Sequence, residues 1–406
     1  MPEENTRPRL RPLEVKWLDD SRHALYLRDP TGLAPSPATV PGWVALLLSL
    51  FDGRRDVPAI CAAFELRTGQ SIPATRVRDV VAQLDEALFL DSPRLAAARK
   101  KVIREYHQAP FRPPALADRV YPTDPARLDA EFRAYESGGP GAAATVGAVR
   151  GVVSPHIDYQ RGGPIYARTW SQARRALEGA EIAVIFGTDH AGGLGKLTLT
   201  RQNYATPLGV LPTATDVVDQ VAEAIGEDAA YEEELHHRKE HSIELASVWL
   251  HYVMAEAPPG VVPILCGSFQ HFTEGEADPS ADPTFERALD ALSQATRGKR
   301  VVAVAAADLA HVGPAFGDSL PLGQPDRTAL ADKDASLLDA VCRGSSEEFF
   351  QQLRVERDQR RICGLPPIYL TLRFLEESRG AVIGYDQCPA DAEGGSLVSI
   401  AGVLLE

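Results

Sequence analysis

From about residue 146 onward, short continuous apolar runs alternate with amphipathic stretches. Val146–Ser154, Ile182–Gly187, Val261–Cys266 and Arg300–Ala307 have the length and β-branched content of strands buried on both faces. Between them, the 3.6-residue period predicts helices over Gly163–Leu177, Ala214–Ile225, His241–Met254 and Thr284–Thr296. Further helices are expected over Asp326–Cys342, Ser346–Val355 and Pro366–Glu377, and late strands over Ala381–Tyr385 and Leu397–Leu405. Lys196–Thr200 and Gly209–Leu211 read as a hairpin flanking Tyr204. Strands alternating with helices imply an α/β fold, a mostly parallel sheet flanked by helices.

The first 95 residues have a different rhythm. Leu13 to Leu27 suits two short strands turning at Asp19-Asp20-Ser21, followed by helices over Val40–Phe51, Val57–Thr68 and Pro73–Leu88, with Gly69 as a C-cap. This predicts a small winged-helix-like α+β domain over 1–95. Residues 96–145 read as a linker with helices (Arg94–His107 and Ala126–Tyr135), proline-spaced turns and the Ser137-Gly-Gly-Pro-Gly run; 146–406 form the main domain. The runs S-L-F-D-G-R-R-D-V-P-A-I and V-A-Q-L-D-E-A-L-F-L-D-S resemble PqqD-like winged-helix domains. That resemblance implies recognition of a peptide or protein partner among radical-SAM pathway proteins. A purely structural appendage is the competing reading.

Composition narrows the classes. The 406 residues are 44% hydrophobic and 24% charged, no apolar run is long enough to span a membrane, and MPEENTRPRL lacks a secretory h-region, so a cytoplasmic protein with no membrane partner is expected. A net charge of -14 argues against general nucleic-acid binding. Residues 1–100 carry 14 Lys/Arg against 13 Asp/Glu, so the winged-helix-like part has no basic footprint either. The five cysteines include no CxxC pair, and reduced thiols are expected.

The polar residues that carry chemistry fall at predicted element ends: His156 in S-P-H-I-D-Y, His190 in G-T-D-H-A-G-G, His241 in E-H-S-I-E, Asp308 and His311 in A-D-L-A-H-V-G, and Cys363 in R-I-C-G-L-P-P. Ligands bind at the carboxyl ends of strands in open α/β sheets, so neighbouring strands would bring His156 and His190 into one crevice. Cys363 is placed in the first turn of a helix, where thiolate is favoured. Converging imidazole, carboxylate and thiolate suit a transition metal. Each residue also has a plain structural use. Asp308 can cap a segment, His311 can bond backbone, and His241 and Glu244, on one helix face, can with Glu240 form a helix-start arrangement. If Asp308 begins a helical turn, His311 shares its face. His236 and His237 read as a solvated charged loop, and Arg161, Arg357, Arg360 and Arg361 as surface charge. Asp158, Tyr159 and Asp189 read as pocket wall or structural.

The ordered set P-H-x-x-Y, G-x-x-H, E-H-S-x-E, V-P-x-x-x-G, A-D-x-x-H-x-G and C-G-x-x-P resembles the Memo family, whose prokaryotic members are called AmmeMemoRadiSam system protein B. The resemblance covers roughly 148–406 and implies a class III extradiol dioxygenase-like fold. It implies metal ligands at His156, His190 and Cys363, with Asp308 and His311 lining the same pocket and His241 and Glu244 on the helix beside it; Asp308, His311 and His241 are expected as catalytic or auxiliary groups. Glu244, on that helix, and Asp189, adjacent to His190, are expected as outer partners of the ligands. The sulfur donor departs from the two-histidine, one-carboxylate site of those dioxygenases. Iron or copper redox chemistry is therefore expected ahead of ring cleavage. Fe(II) ranks first as the divalent transition metal, with copper or zinc as alternatives. A non-catalytic peptide- or metal-binding scaffold and a zinc hydrolase are the competing functions.

Overall fold

The computed structural model describes residues 7–19, 21–138 and 148–406, which fall into two compact units, Met1–Ala109 and Pro110–Glu406. Asp20, most of the Ser137-Gly-Gly-Pro-Gly run and the start of the strand expected from Val146 lie outside the described residues.

In the first unit β1 (Glu14–Trp17), β2 (Ala24–Arg28) and β3 (Ala38–Pro41) form an antiparallel sheet, followed by α1 (Gly42–Leu48), α2 (Val57–Thr68), α3 (Ala74–Glu86) and α4 (Pro93–Gln108). The helix expected from Val40 begins later because Ala38–Pro41 pairs with β2. Asp56 caps α2 by accepting the Ala59 N–H, and Gly69 ends it in the left-handed conformation. Leu27, Leu47, Ile60, Val77 and Phe89 are fully buried at its centre.

The second unit opens with an irregular stretch and α5 (Pro125–Ser137), then runs β4 (Gly151–Ser154), α6 (Tyr159–Leu177), β5 (Ile182–Thr188), β6 (Leu197–Leu199), β7 (Tyr204–Thr206), β8 (Gly209–Leu211), α7 (Thr215–Ile225), α8 (Glu227–Tyr231), α9 (Ser242–Val253) and β9 (Gly260–Cys266). It continues with α10 (Gln270–Thr273), α11 (Pro283–Ala295), β10 (Val301–Ala306), β11 (His311–Val312), α12 (Gln324–Cys342), α13 (Ser346–Val355), α14 (Leu365–Leu375), β12 (Gly380–Pro389) and β13 (Leu397–Leu405).

Among the described residues the large sheet has eight strands in the order β11-β13-β4-β10-β5-β9-β6, with β12 paired to β13. Only β4, β10, β5 and β9 are mutually parallel; β6, β11, β12 and β13 pair antiparallel, so the sheet is mixed rather than mostly parallel. The reason is connection length. A parallel pair needs a crossover, whereas β12 returns directly into β13 as a hairpin. The hairpin predicted around Tyr204 also differs. Leu197–Leu199 joins β9 in the large sheet, and the local hairpin is β7 with β8.

Apolar clusters fill both faces of this sheet. One gathers α7, α11, α12, α13 and α14; the other gathers α5, α6 and α9, with Phe132 stacked on Trp249 at 3.9 Å. No helix among the described residues is long and apolar enough to cross a membrane.

Candidate metal centre

The carboxyl ends of three adjacent parallel strands supply the site. His156 lies just beyond β4, Asp308 just beyond β10 and His190 just beyond β5. The strands of the two histidines are not neighbours as expected: β10 runs between them and puts Asp308 in the middle. The Asp308 carboxylate accepts the backbone N–H groups of His156 (2.8 Å) and Ile157 (3.2 Å), which ties the end of β4 to β10. Its other oxygen is 3.7 Å from His156 Nε2.

Two close approaches complete the recess. A Cβ on Gly187 of β5 would stand 2.5 Å from the Ile243 side chain and 2.7 Å from Ser242 Oγ. The bare glycine admits the start of α9, where Ser242 Oγ donates to Thr188 O at 2.8 Å, and this delivers His241. A Cβ on Gly364 would come within 2.4 Å of Asp308 O, so glycine is required where the chain entering α14 meets the end of β10. Gly364 N–H donates to Asp308 O at 3.0 Å, and Thr188 Oγ1 donates to Cys363 O at 2.9 Å. Cys363 thus sits one residue before the Gly364 N-cap, just ahead of the helix.

Three imidazoles meet there. The His156 and His190 ring centroids are 5.2 Å apart and those of His156 and His241 5.3 Å; His190 stacks on His241 at 4.7 Å. One nitrogen from each ring lies within 4.8 Å of the others. His156 is 1% exposed, whereas the side chains of His190 and His241 are over a third exposed, so the recess opens on their side. Nδ1 of His156 donates to Ala306 O at 2.9 Å and leaves Nε2 facing Cys363 Sγ at 3.2 Å. Donors sharing a tetrahedral ion with metal–nitrogen and metal–sulfur bonds of ordinary length stand roughly 3.5 Å apart, so this pair fits a common metal.

Electrostatics support the same set. Burial resists ionisation of Cys363, but His156 and His311 nearby, with hydrogen bonds from His156 and His190, hold its thiol well below the usual value. Burial alone would lower His156; the Cys363 and Asp308 charges outweigh it and raise it to about 9. Burial opposes charge on Glu240 too, yet His190 and His241 hold its carboxyl well below the ordinary range.

Glu240 is the residue that sequence reasoning undervalued. Its carboxylate accepts from His190 N at 3.0 Å, from His190 Nδ1 at 3.1 Å, and from the backbone N–H of His241 (2.7 Å) and Ser242 (3.1 Å). It serves the helix start, as its position suggests, while also orienting His190, the usual outer partner of a metal-bound histidine.

Of the remaining candidates His311 stays near Cys363, and the others are dispersed. His311 lies in β11, not on a helical turn with Asp308, because residues 311–312 pair with β13; its Nδ1 bonds Leu309 O at 3.1 Å. Glu244 points away from the recess. It pairs with the buried Arg112 at 2.5 Å and accepts from Ala115 N, Leu116 N and Tyr121 OH. Asp189 bonds His236 Nδ1 at 2.9 Å, and with Glu233 they form a second group with metal-ligand spacing, although Lys196 Nζ already lies 3.5 Å from Glu233.

His236 and His237 are not a solvated loop. His237 has no exposed surface and bonds Thr198 O and Tyr204 OH. Arg360 is likewise buried against Asp334 and Glu356. Asp158 caps α6 at Arg161 N, and Tyr159 OH donates to Leu245 O within the aromatic core.

The profile of the Memo-like protein family matches residues 112–404, which spans nearly the whole second unit. The chain belongs to the Memo-like family. A MEMO1 family protein of Aquifex aeolicus is 23% identical over 98% of this chain and 99% of its own length. One from Archaeoglobus fulgidus is 25% identical over 72% of this chain and 99% of its own length, so about a quarter of this chain lies outside that alignment. One from Thermus thermophilus is 25% identical over 79% of this chain and 90% of itself.

Proposed function

We propose that this Memo-like protein holds one divalent transition-metal ion on His156, His190 and the Cys363 thiolate, with His241 at the open side, and uses it as a redox enzyme. What carries the reading is the meeting of separately anchored imidazoles and a thiol in one recess. His156 is fixed through Ala306 and Asp308, His190 through Glu240, and Cys363 through Thr188 and Gly364. A nitrogen and sulfur donor set suits iron or copper, with zinc as the redox-inert alternative. Such an ion, when bound, supplies electron transfer or polarisation of a coordinated substrate. Asp308 has one oxygen committed to backbone N–H groups and the other near His156 Nε2, so it orients that ligand and can take a proton.

Delivery of His156, Asp308 and His190 from the ends of β4, β10 and β5 supports a fold kinship with class III extradiol dioxygenases, and the thiolate supports chemistry other than ring cleavage. The first unit, an antiparallel sheet leading into helices, is read as a PqqD-like winged-helix module that binds a peptide or protein of a radical-SAM pathway.

The test is elemental analysis and electron paramagnetic resonance of protein purified without oxygen. Wild type should carry iron or copper, and His156→Ala and His190→Ala should each lose it. Unchanged metal content in both variants would sink the proposal. For the first unit, the partners captured by the full chain should be lost when residues 1–109 are removed; an unchanged set refutes the recognition role.

A further inference from the structure

We infer that Arg112 is a positioning residue for the metal recess, acting from beneath the loop that carries Glu240 and His241; the inference rests on the metal site proposed above. Arg112 has no exposed surface. Its guanidinium donates through Nε to His237 O and through Nη2 to Glu240 O at 2.8 Å, while Nη1 lies 2.5 Å from Glu244 Oε2. The three acceptors lie on one short stretch, from the turn at Glu234–Arg238 into α9. A single planar group therefore spans the bend at which Glu240 and His241 turn toward the recess.

The arginine is itself immobilised. Its N–H donates to Asn203 O at 2.8 Å, its carbonyl accepts from Ala205 N at 3.1 Å, and its guanidinium carbon sits 4.9 Å from the centre of the Tyr204 ring. Tyr204 OH in turn bonds His237 Nδ1 at 2.6 Å. On the far side the Glu244 carboxylate accepts the Ala115 and Leu116 N–H groups at 2.8 Å each. The strap 112–121 and the loop 237–244 thus close one buried polar network.

This network reaches the recess through Glu240. Arg112 grips the Glu240 carbonyl, while the Glu240 carboxylate holds His190 and the His241 N–H. A shift of the Glu240 backbone therefore moves two of the three imidazoles together. His156, fixed through Ala306 and Asp308, stays in place. Lysine keeps the charge but is a point donor and cannot reproduce a fork that satisfies three separated acceptors.

The experiment uses Co2+ as a spectroscopic probe on the full chain. Arg112→Lys should shift the visible d–d bands and weaken Co2+ binding by about tenfold, the low end of what loss of an outer partner costs. Val221→Ala, a buried substitution on α7, should lower thermal stability with bands and affinity unchanged. If Arg112→Lys loses stability but keeps wild-type bands and affinity, Arg112 is merely structural and the inference falls. Should Arg112→Lys fail to fold, Glu244→Gln loosens the same clamp from its carboxylate end, with the same expectation and the same overturning result. Wild type that takes up no Co2+ overturns the metal site and this inference together. Wild type that binds normally beside an unaffected clamp variant overturns this inference alone.

Discussion

Both carboxylate oxygens of Glu240 lie 3.1 Å from Nδ1 of His190. The carboxylate thereby sets the ring's orientation and its tautomer, leaving Nε2 for a ligand role. Glu240→Gln keeps the volume, but its amide turns one donor toward N–H groups that need an acceptor. Metal affinity should fall about 10–100-fold, read by competition against a chromophoric chelator. Unchanged affinity would remove Glu240 from the site's support.

The sulfur donor makes a separate, optical prediction. With copper or cobalt bound, a Cys363 thiolate ligand gives charge-transfer absorption that imidazole does not. Cys363→Ser should abolish that absorption while metal still binds, more weakly, through the histidines. Identical spectra in wild type and variant would exclude Cys363 from the ligands.

His237 predicts an acid-sensitive step away from the metal. Burial, more than the Arg112 charge beside it, pushes its value down to about 3, while its bond to Thr198 O works the other way. The folded ring is neutral, with Nδ1 accepting from Tyr204 OH. An unfolded chain protonates His237 below its ordinary value near 6.5. Between about pH 6.5 and pH 3 the unfolded state thus binds the extra proton, and stability falls as pH falls, by about 1.4 kcal/mol per pH unit from this one group. His237→Gln should flatten that limb of the stability curve; denaturant titrations at several pH values measure it. An identical slope in both proteins would mean that His237 is not buried neutral.

How far the sequence reaches into this site follows from the range of each interaction. His156, His190 and Asp308 were readable because each directly follows a run of apolar strand residues, and strand ends are where α/β sheets bind. Strand order was not readable: nothing local to β10 says that it inserts between β4 and β5. His311 was misplaced for the same reason, since its pairing with β13 is contributed by residues 397–398. Glu240 and Glu244 are four positions apart in one motif, yet one faces the histidines and the other faces Arg112. Their division depends on a partner more than a hundred residues upstream. Arg360 reads as surface charge in the sequence yet is buried, because composition alone cannot show a paired carboxylate such as Asp334.

That upstream stretch yields the last prediction. Phe132 on α5 has no exposed surface, lies parallel to Trp249 of α9 at 3.9 Å, and meets Tyr159 and Tyr252 edge-on. Leu128 beside it is fully buried in the same cluster. Helix α5 is therefore part of the second unit's core, although its sequence reads as one helix of a linker. Phe132→Ala should cost about 3–5 kcal/mol, the range for deleting a buried aromatic ring, measured by denaturant unfolding. Metal affinity of the folded variant should hold, because the start of α9 is tied down by Glu240 and Ser242 rather than by Phe132. A chain beginning at residue 146 lacks Arg112, Leu128 and Phe132 together and should not give a cooperative unfolding transition, whereas one beginning at residue 110 should. Cooperative unfolding of the shorter chain would show that the β4–β13 framework closes its core without α5.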